Sequence, residues 1–495
     1  MQINSLYIND YKPLKNFTVN FNKEISILIG INGSGKSSIL ECVAQIFSDA
    51  YLQEKSKFGF KLEYELCLEE IIKETAMSLG FKTDYIRVEI YAEKKGEKLL
   101  YRVHTGNDIL EKETDIEKKF GRLEKILPDN IVIYYSGLAD GMKKICLPHD
   151  KKLSANFRKG NTNAHRPFLF FEPPLFSLIL TTLLSYEYGN IPQFLFDKTK
   201  IRGVQSIQIK IKKPAWGKGK VDEWWGAKGE VKTFLDYLVG IASPLTTEER
   251  KAGKLNGSVT IETWENEAVI AIAGQEKLLE IKAHFVEERT LFKILNILLI
   301  DGFQPEAEFS FIQEGALGQR LFNVLSEGEQ QAIIIRGLME LTNNENTLFL
   351  FDEPDTYLHP SWQRDFIESI SEFAKYHNNN QFLIATHSPQ LLSNAHIKNC
   401  DVQIMEDGEI VKVTSKYYGR DISVILYEMM GVERRNKEVT KSLSALFNAI
   451  EDEDLENSKN EYKKLAELLG EDDPEMVRAK VQLDYLQEEK NEANR

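Results

Sequence analysis

The sequence predicts an α/β protein: a head built on a mixed sheet with flanking helices and a β-subdomain, a mixed helical and strand insertion, and an all-helical C-terminal extension. Three observations carry this reading. The apolar run Ile25–Ile29 ends in a glycine-rich turn, and an apolar-periodic helix with Ile39, Leu40, Cys42, Val43, Ile46 and Phe47 follows. A second apolar run, Leu348–Phe351, ends in two carboxylates, Asp352 and Glu353. Beyond Tyr417 the pattern is helical throughout, with Val439, Leu443, Leu446 and Ile450, then Leu455, Tyr462, Leu465 and Leu469.

Taken in order, Ile3, Leu6 and Ile8, then Phe17, Val19 and Phe21, alternate as two strands before the buried one. Residues 85–104 read as a hairpin around a Lys-Lys-Gly turn, and Ile131–Tyr135 as another buried strand. The middle reads as an insertion in which Ile207, Ile209 and Ile211 alternate. A helix over Phe292–Ile300 follows, then a helix starting near Glu329, the Leu348–Phe351 strand and a helix over Pro360–Tyr376. A strand over Gln381–Ala385 and a strand pair over Val402–Val413 complete the head. Gly470 stops one C-terminal helix and Asp473-Pro474 starts another, as N-cap and first-turn proline. The expected segments are 1–137 (N-terminal lobe of the head), 138–290 (insertion), 291–416 (C-terminal lobe) and 417–495 (helical extension).

Composition narrows the function. At 495 residues the chain exceeds one compact domain, and 42% apolar with 28% charged is a globular balance. A net charge of −14 excludes a general nucleic-acid coat, which needs a basic footprint. Residues 198–232 are the local exception. Basic side chains there interleave with Trp216, Trp224 and Trp225, a candidate nucleic-acid contact. The competing reading is a solvated loop over a small strand. Cys42, Cys67, Cys146 and Cys400 lie far apart, which excludes a disulfide scaffold and a zinc finger. The apolar stretch Phe168–Leu184 is interrupted by Glu172, Pro173 and Pro174, so no membrane span is expected. The N-terminus carries no signal pattern, and a cytoplasmic protein is the expectation. The tail 451–495 holds 15 acids against 7 bases.

Four motifs carry chemistry. Gly30-Ile-Asn-Gly-Ser-Gly-Lys36-Ser37 matches GxxxxGK[ST] between a strand and a helix, the setting of a phosphate-binding loop. Asn32, Gly33, Ser34, Gly35, Lys36, Ser37 and Ser38 are the candidate nucleotide-binding residues. Backbone N–H groups and the helix N-terminus would cradle the phosphates, Lys36 would face the β/γ oxygens, and the Ser37 hydroxyl would ligate Mg²⁺. Asp352 is placed to hold Mg²⁺, and Glu353 to orient or deprotonate an attacking water. Ser326, Gly328 and Glu329, in Leu-Ser-Glu-Gly-Glu-Gln before an apolar helix, suggest a second phosphate-sized anion site as well as a plain capping box. One chain gains little from two such sites, so a dimer sharing the nucleotide reconciles them. His387 follows the strand Gln381–Ala385 and can face a crevice at its C-terminal end, donating to the γ-phosphate. His359 reads as structural.

These motifs, in this order, resemble the ABC-type ATPase heads of the Rad50/SMC/RecF and OLD-like group over about residues 1–415. The resemblance implies ATP with Mg²⁺, slow hydrolysis, and a homodimer or higher oligomer through the heads. Asp355 matches that family's D-loop, which contacts the opposite subunit. The signature departs from the transporter form Leu-Ser-Gly-Gly-Gln, and Gln193, Gln205 and Gln208 are all unconvincing as a Q-loop glutamine. Tyr418-Gly-Arg-Asp421 with the following helices resembles the extension of the ATPase subunits of Septu-type anti-phage systems and their retron-associated relatives. That implies a separate HNH-type nuclease partner, controlled by this chain, with no nuclease activity in the chain itself. A RecF-like DNA-repair or DNA-loading ATPase is the alternative. An OLD-type nuclease lacks room after Tyr417, and a Rad50 rod would need sustained heptads.

Overall fold

The computed structural model describes the chain except residues 69–84, 106–107, 138–139, 160–165, 243–260, 265, 314–319, 322–324, 344–345, 378, 412–415, 432–434 and 494–495. It divides into two compact units, Met1–Gly419 and Arg420–Arg495.

The first unit opens with β1 (Gln2–Tyr11), β2 (Leu14–Asn20), β3 (Ile25–Gly30) and α1 (Lys36–Leu52). β4 (Phe60–Cys67), β5 (Tyr85–Ala92), β6 (Leu100–Thr105), β7 (Asp108–Leu110), α2 (Glu113–Phe120), β8 (Asn130–Tyr135) and α3 (Gly141–Arg158) follow. Next come β9 (Phe168–Phe170), α4 (Pro173–Leu183), α5 (Asn190–Thr199), β10 (Ile201–Lys212), α6 (Gly229–Ile241), β11 (Ile261–Trp264), β12 (Glu267–Ala273), α7 (Gly274–Phe285) and α8 (Glu288–Ile300). The unit closes with β13 (Glu306–Gln313), β14 (Arg320–Leu321), α9 (Glu327–Thr342), β15 (Thr347–Asp352), α10 (Pro360–Tyr376), β16 (Gln381–Thr386), α11 (Pro389–Asn394), β17 (Cys400–Glu406) and β18 (Glu409–Val411). The expected end of the last strand pair, Val413, lies outside the described residues.

Three sheets result. A seven-stranded sheet has the order β18-β17-β3-β16-β15-β8-β9, parallel except for β18. Every residue of β3, β15 and β16 is buried, as expected for strands covered on both faces. A six-stranded sheet, β2-β1-β4-β5-β6-β7, is antiparallel, and one hydrophobic core runs from it through α1 to Leu28, Ile131, Leu348, Leu350 and Leu383 of the parallel sheet. The strong apolar periodicity of α1 is explained by this double burial.

The third sheet, β11-β12-β10-β13-β14, holds the alternation read at Ile207, Ile209 and Ile211, all buried. β10 pairs with β12 on one side and with β13 on the other. The expected division at residue 290 therefore runs through a sheet, because β10 needs β13 to satisfy its second edge.

The second unit holds α12 (Ile422–Met430), α13 (Lys437–Glu451), α14 (Leu455–Leu469) and α15 (Pro474–Ala493). Val439, Leu443, Leu446, Leu465, Met476 and Ala479 form its own small core. Asn436 and Asp454 cap α13 and α14, and Arg435 grips Asp473 with two hydrogen bonds of 2.8 Å each. Among the described residues no helix is long and apolar enough to cross a membrane.

Candidate nucleotide site

Three neighbouring parallel strands deliver the motif residues to one edge. Leu28 stands opposite Ala385 and Ile29 opposite Thr386, while Asp352 stands opposite Ala385 on the other flank. Gly30, Asp352 with Glu353, and His387 thus emerge side by side at the C-terminal ends of β3, β15 and β16. This is where ligands bind in open parallel sheets.

The loop after β3 is built for close backbone approach. A Cβ at Gly30 would lie 2.2 Å from the Met405 carbonyl oxygen, so only glycine fits beside β17. Gly35 caps α1 with φ +108°, in the left-handed region. The β17–β18 turn braces the loop, Gly408 N donating to Ser34 O at 3.0 Å. Lys36 is buried, and its Nζ donates to Gly30 O at 2.7 Å and Ile31 O at 3.1 Å. Burial pushes its pKa down, while Glu353 and Asp352 pull it back up. Asn32, Gly33 and Ser37 are exposed along the loop; Ser34 and Ser38 are buried, and the Ser34 hydroxyl has no partner.

Asp352 is 0% exposed, and neither of its carboxylate oxygens has a hydrogen-bond partner in good geometry. Burial pushes its carboxyl up to about 6; the Ser37 hydroxyl nearby and Lys36 pull it down, and Glu353 and Glu41 push it further up. A buried unpaired carboxylate is costly. The donor set, with the Ser37 hydroxyl alongside, fits a hard, oxygen-seeking cation such as Mg²⁺. Glu353 sits at φ +52°, a left-handed position unusual for a non-glycine residue, with its N–H donating to Ala385 O at 2.8 Å. Its Oε2 lies 2.6 Å from Nδ1 of half-exposed His387, a close contact without hydrogen-bond alignment.

The remaining expected residues lie on α9 and on the turn after Glu353. Ser326 and Glu329 form a reciprocal capping box: Glu329 N donates to Ser326 Oγ at 3.3 Å, and Ser326 N donates to Glu329 Oε2 at 2.7 Å. Ser326 is exposed. A Cβ on Gly328 would approach Tyr357 O at 3.0 Å, so α9 lies close against that turn. Asp355, expected from the resemblance to contact another subunit, lies on the turn after Glu353. It is 2% exposed and accepts from Thr386 Oγ1 at 2.8 Å within its own chain, because the turn folds back over β16.

Two glutamines were missed in the sequence. Gln331 of α9 is 2% exposed; its Nε2 donates to Pro354 O and its Oε1 accepts from Tyr357 N at 3.0 Å. Gln363 of α10 donates to Asp355 O at 2.9 Å and accepts from Ser388 Oγ at 3.1 Å. Together they pin the turn between Glu353 and α10. The available cue was a polar residue just before the apolar run Ile333–Ile335. Gln193 lies on α5, and Gln205 and Gln208 on β10, none of them on the sheet that carries the loop.

The family model "AAA ATPase domain" matches residues 1–237, and "AAA domain, putative AbiEii toxin, Type IV TA system" matches residues 159–393. The chain carries AAA-family ATPase domains. It is 29% identical over 175 residues to the Escherichia coli "Retron Ec83 probable ATPase", covering 32% of this chain and 31% of that one. It is 26% identical over 195 residues to the Bacillus thuringiensis "Septu protein PtuA", covering 35% and 48%. The chain thus spans half or less of the length of these curated relatives. A solved SMC head domain from Thermotoga maritima aligns over 84% of this chain and all of its own at 13% identity, with a TM-score of 0.34.

Outside this ATPase edge, the stacking surface expected at 198–232 is not formed. Trp225 is 0% and Trp224 5% exposed, so these two rings serve the core, while the half-buried Trp216 is tied down through Nε1, which donates to Asp301 O at 2.7 Å. Lys210 and Lys212 pair with Glu308 and Glu306 across the β10–β13 ladder, and Lys198 lies over Trp362.

Proposed function

We propose that this chain is the ATP-binding and ATP-hydrolysing regulatory subunit of an anti-phage defence system, controlling a separate HNH-type nuclease and cutting no nucleic acid itself. The observation that carries the nucleotide chemistry is the convergence of Lys36, Asp352, Glu353 and His387 at three adjacent strand ends, with both Asp352 oxygens buried and unpartnered. The Septu and retron names of two relatives support the defence setting.

In this reading the loop amides bind the ATP phosphates, and Lys36 exchanges its two carbonyl partners for β/γ oxygens. Mg²⁺, held by Ser37 and Asp352, would neutralise charge on those oxygens. Glu353 takes the proton of the attacking water, and His387 holds the Glu353 carboxylate and reaches the γ-phosphate. Ser326 of a second copy closes the site head-to-tail, so the assembly is a homodimer or a higher oligomer. The second unit docks the nuclease: 451–495 is strongly acidic, and α15 exposes Val477, Val481 and Tyr485 at helical spacing, a surface for a partner with a basic face.

The test is co-expression with the HNH-type nuclease that this reading expects to be encoded alongside. Phage protection should vanish with Lys36→Ala, and co-purification of the nuclease should vanish with Val481→Glu plus Tyr485→Glu while ATP binding persists. Protection that survives deletion of the nuclease gene would refute the regulatory role.

A further inference from the structure

One helix runs against the charge of the rest of the chain. α3 carries Lys143, Lys144, Lys151, Lys152 and Arg158, with Lys159 just beyond its end, against one internal acid, Asp150. Asp150 is already taken by Arg166, which donates to it twice, at 2.9 and 3.0 Å. Lys144, Lys151 and Arg158 recur every seven residues, two helical turns, and so form one row about 21 Å long. Lys152 and Lys159 flank that row, and all five side chains are exposed. Among the described residues, Lys144, Lys151, Lys152 and Lys159 make no ion pair, and neither do Lys213, Lys218, Lys220 and Lys228 between β10 and α6.

Arg158 brings these two segments together. Its guanidinium lies 5.3 Å from the Trp216 ring centroid, and its Nε donates to Asp301 Oδ1 at 3.0 Å, while Trp216 donates to the carbonyl of the same Asp301. Arg158, Trp216 and Lys228 line one recess of about 190 Å³, in which Glu230 is the only other acid beside Asp301. Arg158 also lines an adjoining cleft of about 700 Å³ with Lys143, Lys151 and Arg166. The acids of that cleft are engaged: Glu172 with Lys143, Asp150 with Arg166, and Glu306 with Lys212.

We infer that this surface, the outer face of α3 joined through Arg158 to the 213–228 segment, binds the phosphate backbone of nucleic acid. Concentrating unpaired like charge costs self-repulsion, which a polyanion relieves, and the cations follow a line rather than a point. Trp224 and Trp225 are buried, and the half-buried Trp216 ring is already paired with the Arg158 guanidinium, so recognition is electrostatic and independent of sequence.

The experiment uses the full chain carrying Lys36→Ala, so that the ATP loop cannot be the site read. Anisotropy of a labelled duplex of about 30 base pairs is followed across a salt series. Binding should weaken steeply with salt. Lys144→Glu with Lys151→Glu and Lys152→Glu should weaken it about tenfold or more and flatten the salt slope. Lys218→Glu with Lys220→Glu, on the other segment, should act in the same direction. The control pair Lys94→Glu and Lys95→Glu, in the exposed β5–β6 turn, should change nothing. Absence of salt-dependent duplex binding, or equal binding by the triple variant and the control, overturns the assignment. So does binding of inorganic triphosphate without binding of duplex, which would make this a small-anion site.

Discussion

The two halves of the proposed nucleotide site are built on opposite principles. At the loop half, polar groups are left unsatisfied: Ser34 Oγ and both oxygens of Asp352 are buried without hydrogen-bond partners. At the signature half, Ser326 is satisfied by its own helix, through the N–H and the carboxylate of Glu329. Buried unpaired groups cost about 1–3 kcal/mol each, so the nucleotide and cation of the proposed function would relieve a penalty already present at the loop half. The signature half is complete alone, and Glu329 must move aside before Ser326 can meet a phosphate. One half is thus a standing site and the other a conditional one.

The sharpest way to break this contrast is at the loop half. Lys36→Ala should abolish ATP binding, measured by titration with a fluorescent analogue. Glu353→Gln should bind ATP as before and lower turnover by at least about 100-fold, in the range of a lost general base. Turnover of Glu353→Gln at the wild-type rate would remove Glu353 from the chemistry. At the signature half, Ser326→Arg should block ATP-dependent pairing of heads, read by light scattering in the Glu353→Gln background. Ser326→Ala should lose only the cap, about 1 kcal/mol of stability. If Ser326→Arg still pairs in ATP, closure does not run through this helix.

A pH experiment probes the strain at Asp352. Its folded pKa, about 6, lies above the usual 3.8 of an aspartate. Between those values the native state holds a proton that the unfolded chain has released, so stability from this group falls as pH rises through the window. Above about pH 6 the full penalty is present, on the order of 3 kcal/mol. Asp352→Asn should therefore raise the Tm of the ligand-free chain at pH 7.5, with the gain vanishing near pH 4. The same variant should lose Mg²⁺-dependent ATP binding. An unchanged Tm at pH 7.5 would mean that the carboxylate is already compensated.

What was legible in the sequence follows the same division. The strand Thr347–Asp352 and the loop 30–37 were readable because full burial on both faces gives an unbroken apolar run, and tight turns demand glycine. The helix Pro360–Tyr376 was readable to the residue from its first-turn proline and its amphipathic spacing. The third sheet was only partly readable, since β10 and β13 are separated by about 100 residues and pairing over that distance leaves no local mark. The role expected for Trp224 and Trp225 failed because composition cannot tell a stacking platform from a core. The hold on Asp355 was not legible because its hydrogen-bond partner within the chain, Thr386, arrives from another strand.

The smallest expected effect lies at Gln331, and it tests whether the conditional half reports to the standing one. Gln331 sits on the helix that Ser326 caps, yet both ends of its amide hold the turn that follows Glu353, at Pro354 O and Tyr357 N. A shift of that helix on closing over a partner's nucleotide would therefore pull on the segment that positions Glu353, whose left-handed backbone leaves it little freedom of its own. Gln331→Leu removes both bonds and strands two polar groups in a buried place, at about 1–3 kcal/mol each. Gln331→Glu keeps the acceptor for Tyr357 N and loses only the donor to Pro354 O. Lys36 and Ser37 are untouched in both, so KM for ATP should hold while kcat falls severalfold in Gln331→Leu and less in Gln331→Glu. A lowered Tm with kcat unchanged would reduce Gln331 to a packing role and leave the two halves mechanically separate.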